Sequence, residues 1–191
     1  MSYLRGFLPW IAFAALSSAG WQWGALAGLV IGVWLLLQDR RAGVAGDAQI
    51  LEVGTIAYFA ALAAVAFALP HSQLKEYDGA LSFAWLALTA WGTVAVRRPF
   101  TLGIARRQTP QELWQHPAFI RINTVISAAW ATSFTLTAAA VAACDATGAG
   151  TTTEIVCQVV GFVAPAVFTA RYPKIAQARL ARSTEAAAAT R

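Results

Sequence analysis

Of 191 residues, 58% are hydrophobic and 12% charged, about half the charged share of an ordinary water-soluble domain, and a soluble fold of this length cannot hide so much apolar surface. The formal net charge of +5 does not indicate nucleic acid, because basic side chains do so only when gathered on a water-facing surface with base-reading elements, whereas here they sit at the ends of apolar stretches. No zinc-ligand spacing, Walker loop, dinucleotide-binding glycine pattern or nucleophile elbow occurs, so no metal or other cofactor is expected.

Six apolar stretches follow one another, at about 6–20, 22–38, 49–69, 79–96, 118–143 and 153–171. A helix of about 17 residues or more is long enough to cross a hydrocarbon layer of about 30 Å. The expected fold is therefore all-α: a polytopic membrane helix bundle of six transmembrane helices in three hairpins. Residues 1–175 form a single transmembrane domain and 176–191 a basic, flexible cytoplasmic tail. Ser17-Ser18-Ala19-Gly20 turns the chain after the first span, and Trp21 and Trp23 beside it suit the interfacial belt. Arg5, an apolar run and Ser18-Ala19-Gly20 also fit a cleaved signal peptide, and both readings start the second helix outside.

Lys and Arg set the orientation, because cationic loops stay in the cytoplasm. One side holds Arg5, Arg40, Arg41, Arg97, Arg98, Arg106, Arg107, Arg121 and every basic residue from Arg171 onward; the other holds Lys75 together with Glu76, Asp78, Asp145 and Glu154. Both termini are thus expected inside, in a bacterial inner membrane. Gln38-Asp39-Arg40-Arg41, Val96-Arg97-Arg98-Pro99 and Ala170-Arg171-Tyr172-Pro173 close the three inward-running helices in similar fashion. Duplication of a hairpin explains this, as does the rule that an inward-running helix ends on Arg.

Gly24, Gly28 and Gly32 fall on one face of the second helix and admit a neighbouring backbone, either inside the monomer or at a homo-oligomer seam. Between spans four and five, Thr109, Pro110 and Glu112 compose a capping box with proline at the first helical position. It predicts a short interfacial helix ending before Pro117, with Leu113 and Trp114 beside Arg106 and Arg107, suited to anionic lipid or to a cytoplasmic partner. His116 there reads as a helix-end polar residue. On the fifth helix Asn123, Ser127, Trp130 and Thr137 share a face, and Glu52 and Thr55 form a shorter polar seam on the third. An intramembrane ionisable group is a functional candidate by default. Glu52, however, lies about one turn from the inner end, within reach of headgroup water or of Arg121. Cys144 and Cys157 flank the outer loop between the last two helices; a disulfide in an oxidising exterior and two inert thiols are both open to them.

Phe7-Leu8-Pro9 opening a short first helix, Arg98-Pro99 closing the fourth, and Trp114, Asn123 and Trp130-Ala131 thereafter resemble the intracellular septation protein A family of bacterial inner-membrane proteins. The resemblance implies a small polytopic protein of cell-envelope maintenance or division, with no catalytic residues to carry over. The expected function is accordingly non-enzymatic contact with membrane lipid or other envelope proteins. The competing reading is a small-molecule or ion transporter with a polar path along Glu52 and Asn123. An intramembrane enzyme is disfavoured, since the spans hold no His, no paired carboxylate and no nucleophile with a base. Neither Lys75 nor Lys174 lies mid-span to carry a retinal Schiff base.

Overall fold

A computed structural model describes residues 5–44, 46–106 and 109–189, apart from the side chains at 47, 48 and 179–189. All regular structure among these residues is helical. We number the α-helices α1 (Leu8–Leu16), α2 (Trp21–Arg41), α3 (Ile50–Ala68), α4 (Asp78–Ala95), α5 (Phe100–Arg106), α6 (Pro117–Thr147) and α7 (Thr151–Ala189). Short 3-10 turns at Ser17–Ala19, Gly46–Gln49, Gln73–Tyr77 and Gln111–Leu113 punctuate the connections. Helices α2 and α3, α6 and the Thr151–Ala178 part of α7 are long and apolar enough to cross a membrane. Gln73–Ala95 and α5 together form a further apolar unit, bent by 76° at the break between them. Leu8–Ala19 is apolar but shorter.

Helix α1 packs on α2 and α2 on α3, while α4 packs on α6 and α6 on α7. Sequence-adjacent α3 and α4 meet mainly through long side chains: the Trp85 indole donates to the Gly54 carbonyl at 2.9 Å, and the Tyr58 and Ser82 hydroxyls lie 2.9 Å apart. Trp10, Phe13, Phe59, Phe83, Trp130 and Phe134 build one continuous aromatic core. Phe7 joins the two groups of helices, stacking on Trp130 at 5.9 Å and meeting Phe162 edge-on at 4.9 Å.

The glycine face of α2 is buried within the monomer. A Cβ on Gly24 would come within 2.9 Å of the Phe13 carbonyl, and one on Gly28 within 2.8 Å of the Phe59 ring. Gly32 faces Ile56. At the N-terminal end of the same helix Trp21 packs inside the protein, 1% exposed and donating to the Pro70 carbonyl at 3.2 Å. Trp23 is 54% exposed and takes the outward position.

Helices α2 and α4 stop by the same device. Val44 N–H reaches Asp39 O and Gly43 N–H reaches Arg40 O, and likewise Arg98 N–H reaches Thr93 O and Arg97 N–H reaches Val94 O. This pair of bonds is a Schellman closure, which needs a left-handed residue at its corner. Gly43 supplies it at φ 72°, Arg97 at φ 58°. The third basic ending is not an ending: α7 runs through Arg171 and Pro173 to Ala189. The stretch 176–191, expected to be a flexible tail, is thus helical as far as Ala189, as its content of Ala, Arg, Leu and Glu favours. Within α7, Pro165 lacks the N–H that would bond Gly161 O, and the Ser133 hydroxyl of α6 donates to that carbonyl instead, at 2.8 Å.

The connection after α4 differs from the expected surface helix. Thr109, Pro110 and Glu112 do not form a capping box: Thr109 Oγ1 donates back to Ala105 O at 2.9 Å, and the turn Gln111–Leu113 has no side-chain cap. The helical part of the connection lies earlier, as the buried α5. Arg107 falls outside the described residues.

Candidate functional site

Helix α6 begins where Pro117 takes the first helical position and His116 caps it, Nδ1 accepting from Ala118 N–H at 3.2 Å. Its expected polar face is buried throughout, with Asn123, Ser127, Trp130 and Thr137 each 5% exposed or less. The N-terminal half of that face holds α5. Thr101 is its counterpart: its hydroxyl donates to Asn123 O at 2.9 Å and lies 2.8 Å from Ser127 Oγ, and its N–H reaches Ser127 Oγ at 3.3 Å. Asn123 Nδ2 donates to Phe119 O at 2.9 Å. Farther along α6 the face holds α7, the Trp130 indole donating to Thr169 Oγ1 at 2.9 Å and Thr137 packing directly on Gly161. Thr55 on α3 accepts from the Trp10 indole at 3.3 Å.

Glu52 stands half-buried in the first turn of α3, where the positive end of the helix dipole favours a carboxylate. No ion pair joins it to Arg121 among the described residues; Arg121 is exposed near the start of α6. Arg5 pairs with Asp39 at 3.7 Å, supported by a hydrogen bond from Arg5 to Gln38. Cys144 and Cys157 are half-buried free thiols, and the neighbouring Cys157 adds to the burial that pushes the Cys144 thiol up. Among the described residues no cluster of three or more His, Cys, Asp or Glu side chains is placed to hold a metal ion.

The structure brings part of the α6 seam to a cavity of about 940 Å³ between α6, α7 and the connection after α5. Phe119, Ile122, Ile126 and Trp130 form one wall and Phe162, Val163 and Ala166 the opposite one. Asn123, Thr169, Thr109, His116 and Gln177 supply the polar part of its lining. With Nδ1 of His116 engaged as an acceptor, the neutral ring carries its proton on Nε2, a donor. Pro173, also on the wall, has no N–H for the Thr169 carbonyl, so that acceptor is released from the helical ladder beside the cavity. Next to the lining residue Ala105 in sequence, Arg106 lies over the Trp114 ring, 5.4 Å from its centroid, and the Trp114 indole donates to the Thr109 carbonyl at 2.9 Å; neither Arg106 nor Trp114 lines the cavity.

Glu52 and Thr55 do not line this cavity, so the two polar seams read from the sequence do not converge in it. Thr101 and α5 were not foreseen. The signal was Pro99 followed by the uncharged run Phe100-Thr101-Leu102-Gly103-Ile104-Ala105, a helix start too short to register as a span. Comparison with known protein families, with curated proteins and with solved structures finds no match for the chain.

Proposed function

We propose that this chain is a six-crossing protein of a bacterial inner membrane, with both termini in the cytoplasm, that acts without catalysis through contacts with lipid and with other envelope proteins. The observation that supports it best is what the polar groups in the spans do. Trp10 to Thr55, Tyr58 to Ser82, Trp85 to Gly54, Thr101 to Ser127 and Trp130 to Thr169 are all bonds between helices. Groups spent in this way hold a bundle together and leave few free to replace the water of a moving ion. The setting of envelope maintenance or division fits the resemblance of Phe7-Leu8-Pro9, Arg98-Pro99 and Trp130-Ala131 to the septation family.

Transport is the second reading, favoured by the presence of Asn123 on a cavity wall. Proteoliposomes separate the two. Purified protein should pass protons, sodium and potassium no faster than empty vesicles, and Glu52→Gln should leave both the fold and cellular function unchanged. A flux present in the native protein and abolished by Glu52→Gln overturns the contact reading in favour of transport.

A further inference from the structure

We propose that Cys144 and Cys157 are a redox pair whose oxidation to an intramolecular disulfide closes the α6–α7 hairpin covalently. The inference deepens the proposed function and rests on its topology, which turns this end of the hairpin away from the cytoplasm, toward a space where thiols meet oxidants. These are the two cysteines of the chain, so neither has a competing partner within it.

The packing of the hairpin sets them level. Only Gly148, Ala149 and Gly150 separate α6 from α7. The carbonyl of Cys144 itself accepts the bonds that end α6, from Gly148 N–H and from Ala149 N–H, the latter at 3.1 Å. Thr137 packs on Gly161, whose missing side chain lets the two helices approach closely. One helical turn from that crossing toward the connection, Val141 on α6 comes level with Cys157 on α7. The surroundings of Gly79 on α4 agree with this register: a methyl group there would meet Val141 at 3.4 Å, Gln158 at 3.1 Å and Glu154 at 3.2 Å, so Val141 lies beside the turn of α7 that carries Cys157. Cys144 follows Val141 on the same face of α6, about 4.5 Å farther along the axis, and its thiol has that of Cys157 as a neighbour. A disulfide needs Cα atoms about 4.5–7 Å apart, a separation that a close crossing with its two cysteines at one level supplies. Both side chains are half-buried, so a reagent reaches them without unfolding of the hairpin.

The oxidant is a disulfide, carried by a thiol–disulfide exchange protein or by a small thiol on the same side of the membrane. One cysteine thiolate attacks a sulfur of the donor disulfide and expels the first donor thiol; the second cysteine thiolate then displaces the remaining donor sulfur. The Cys144–Cys157 bond forms, the donor S–S bond breaks, and the two electrons and two protons lost by the cysteines leave with the donor as two thiols.

The test begins with the full chain purified in detergent under reducing conditions, freed of reductant and treated with diamide, whose azo bond takes up the two hydrogens. Digestion without reduction should yield the Cys144 and Cys157 peptides joined, and maleimide should label neither thiol. The oxidised protein should melt at least about 5 °C above the reduced one, the scale of a disulfide closing a short loop in a chain of this size, and Cys144→Ser and Cys157→Ser should each abolish that difference. In case the serine variants fold poorly, the unaltered protein in its two redox forms carries the comparison by itself. Thiols still open to maleimide after diamide, or a bond found only between two copies on a non-reducing gel, would overturn the pairing. Cells are then quenched with acid and alkylated before lysis, and the joined peptides should be present without added oxidant. Reporter fusions after Gly150 measure the orientation independently. Free thiols in cells whose fusions place Gly150 outside would overturn the proposal, whereas free thiols with Gly150 inside would overturn the topology and leave the diamide result to decide the pairing.

Discussion

A methyl group placed on Gly161 would overlap Thr137 Oγ1, and one on Gly28 would press into the buried Phe59 ring. Overpacking of this kind costs about 1–3 kcal/mol, more than the roughly 1 kcal/mol that alanine gains over glycine in a helix. Gly161→Ala should therefore lower the melting temperature of the detergent-solubilised protein, and Gly28→Leu should lower it further; an unaltered melting curve for Gly28→Leu would mean that this face of α2 looks toward lipid. Arg97 presents the opposite case. It holds the left-handed corner that Gly43 fills at the end of α2, a conformation costing a side-chain-bearing residue about 1–2 kcal/mol. Arg97→Gly should raise stability by about 1 kcal/mol, readable as a rise in the melting temperature, because the Schellman bonds are retained and the strain is removed.

At the scale of elements, α5 depends on one residue. Thr101 makes three hydrogen bonds to α6 from a helix of seven residues, and a helix that short has little stability of its own. Thr101→Val keeps the shape and removes the hydroxyl. It should destabilise the protein by about 1–3 kcal/mol, the cost of leaving buried partners unsatisfied, and should speed tryptic cleavage after Arg106 relative to cleavage elsewhere. If cleavage there is no faster, the Thr101 hydroxyl is not what holds α5, and its apolar contacts and backbone hydrogen bonds suffice. The long helices were legible from the sequence because a span must be continuous, apolar and of fixed length. The buried face of α6 was legible too, since Asn123, Ser127, Trp130 and Thr137 recur at helical spacing. Helix α5 was not, because arginines bracket it and bracketing charge is also what marks an exposed loop. The misplaced surface helix shows the same limit: Thr109 and Glu112 have capping-box spacing, yet a tertiary arrangement that gives the Thr109 carbonyl to Trp114 outweighs that local preference.

For the molecule as a whole, the segregation of Lys and Arg leads us to expect reporter fusions after Arg41, Arg107 and Arg191 all to signal cytoplasm; a periplasmic signal at Arg107 would overturn the six-crossing proposal. How the helices group in space was beyond the sequence. Chain order suggested three hairpins; α1 with α2 and α6 with α7 do pack closely, whereas α3 sits on α2 and α4 on α6, and these two sequence neighbours, α3 and α4, meet mainly through side chains. Only side-chain size decides between close backbone contact and an aromatic seam, and periodicity does not report it. Helix α7 carries a further mechanical consequence. Its firmest hold on α6 is at Gly161, where Ser133 and Thr137 both engage it, ten residues from Thr151 and twenty-eight from Ala189. At 1.5 Å per residue the arms of this lever measure about 15 and 42 Å. Any tilt about that fulcrum is therefore magnified nearly threefold at the C-terminal tip, with Pro165 four residues beyond the pivot, where the missing N–H makes bending easiest.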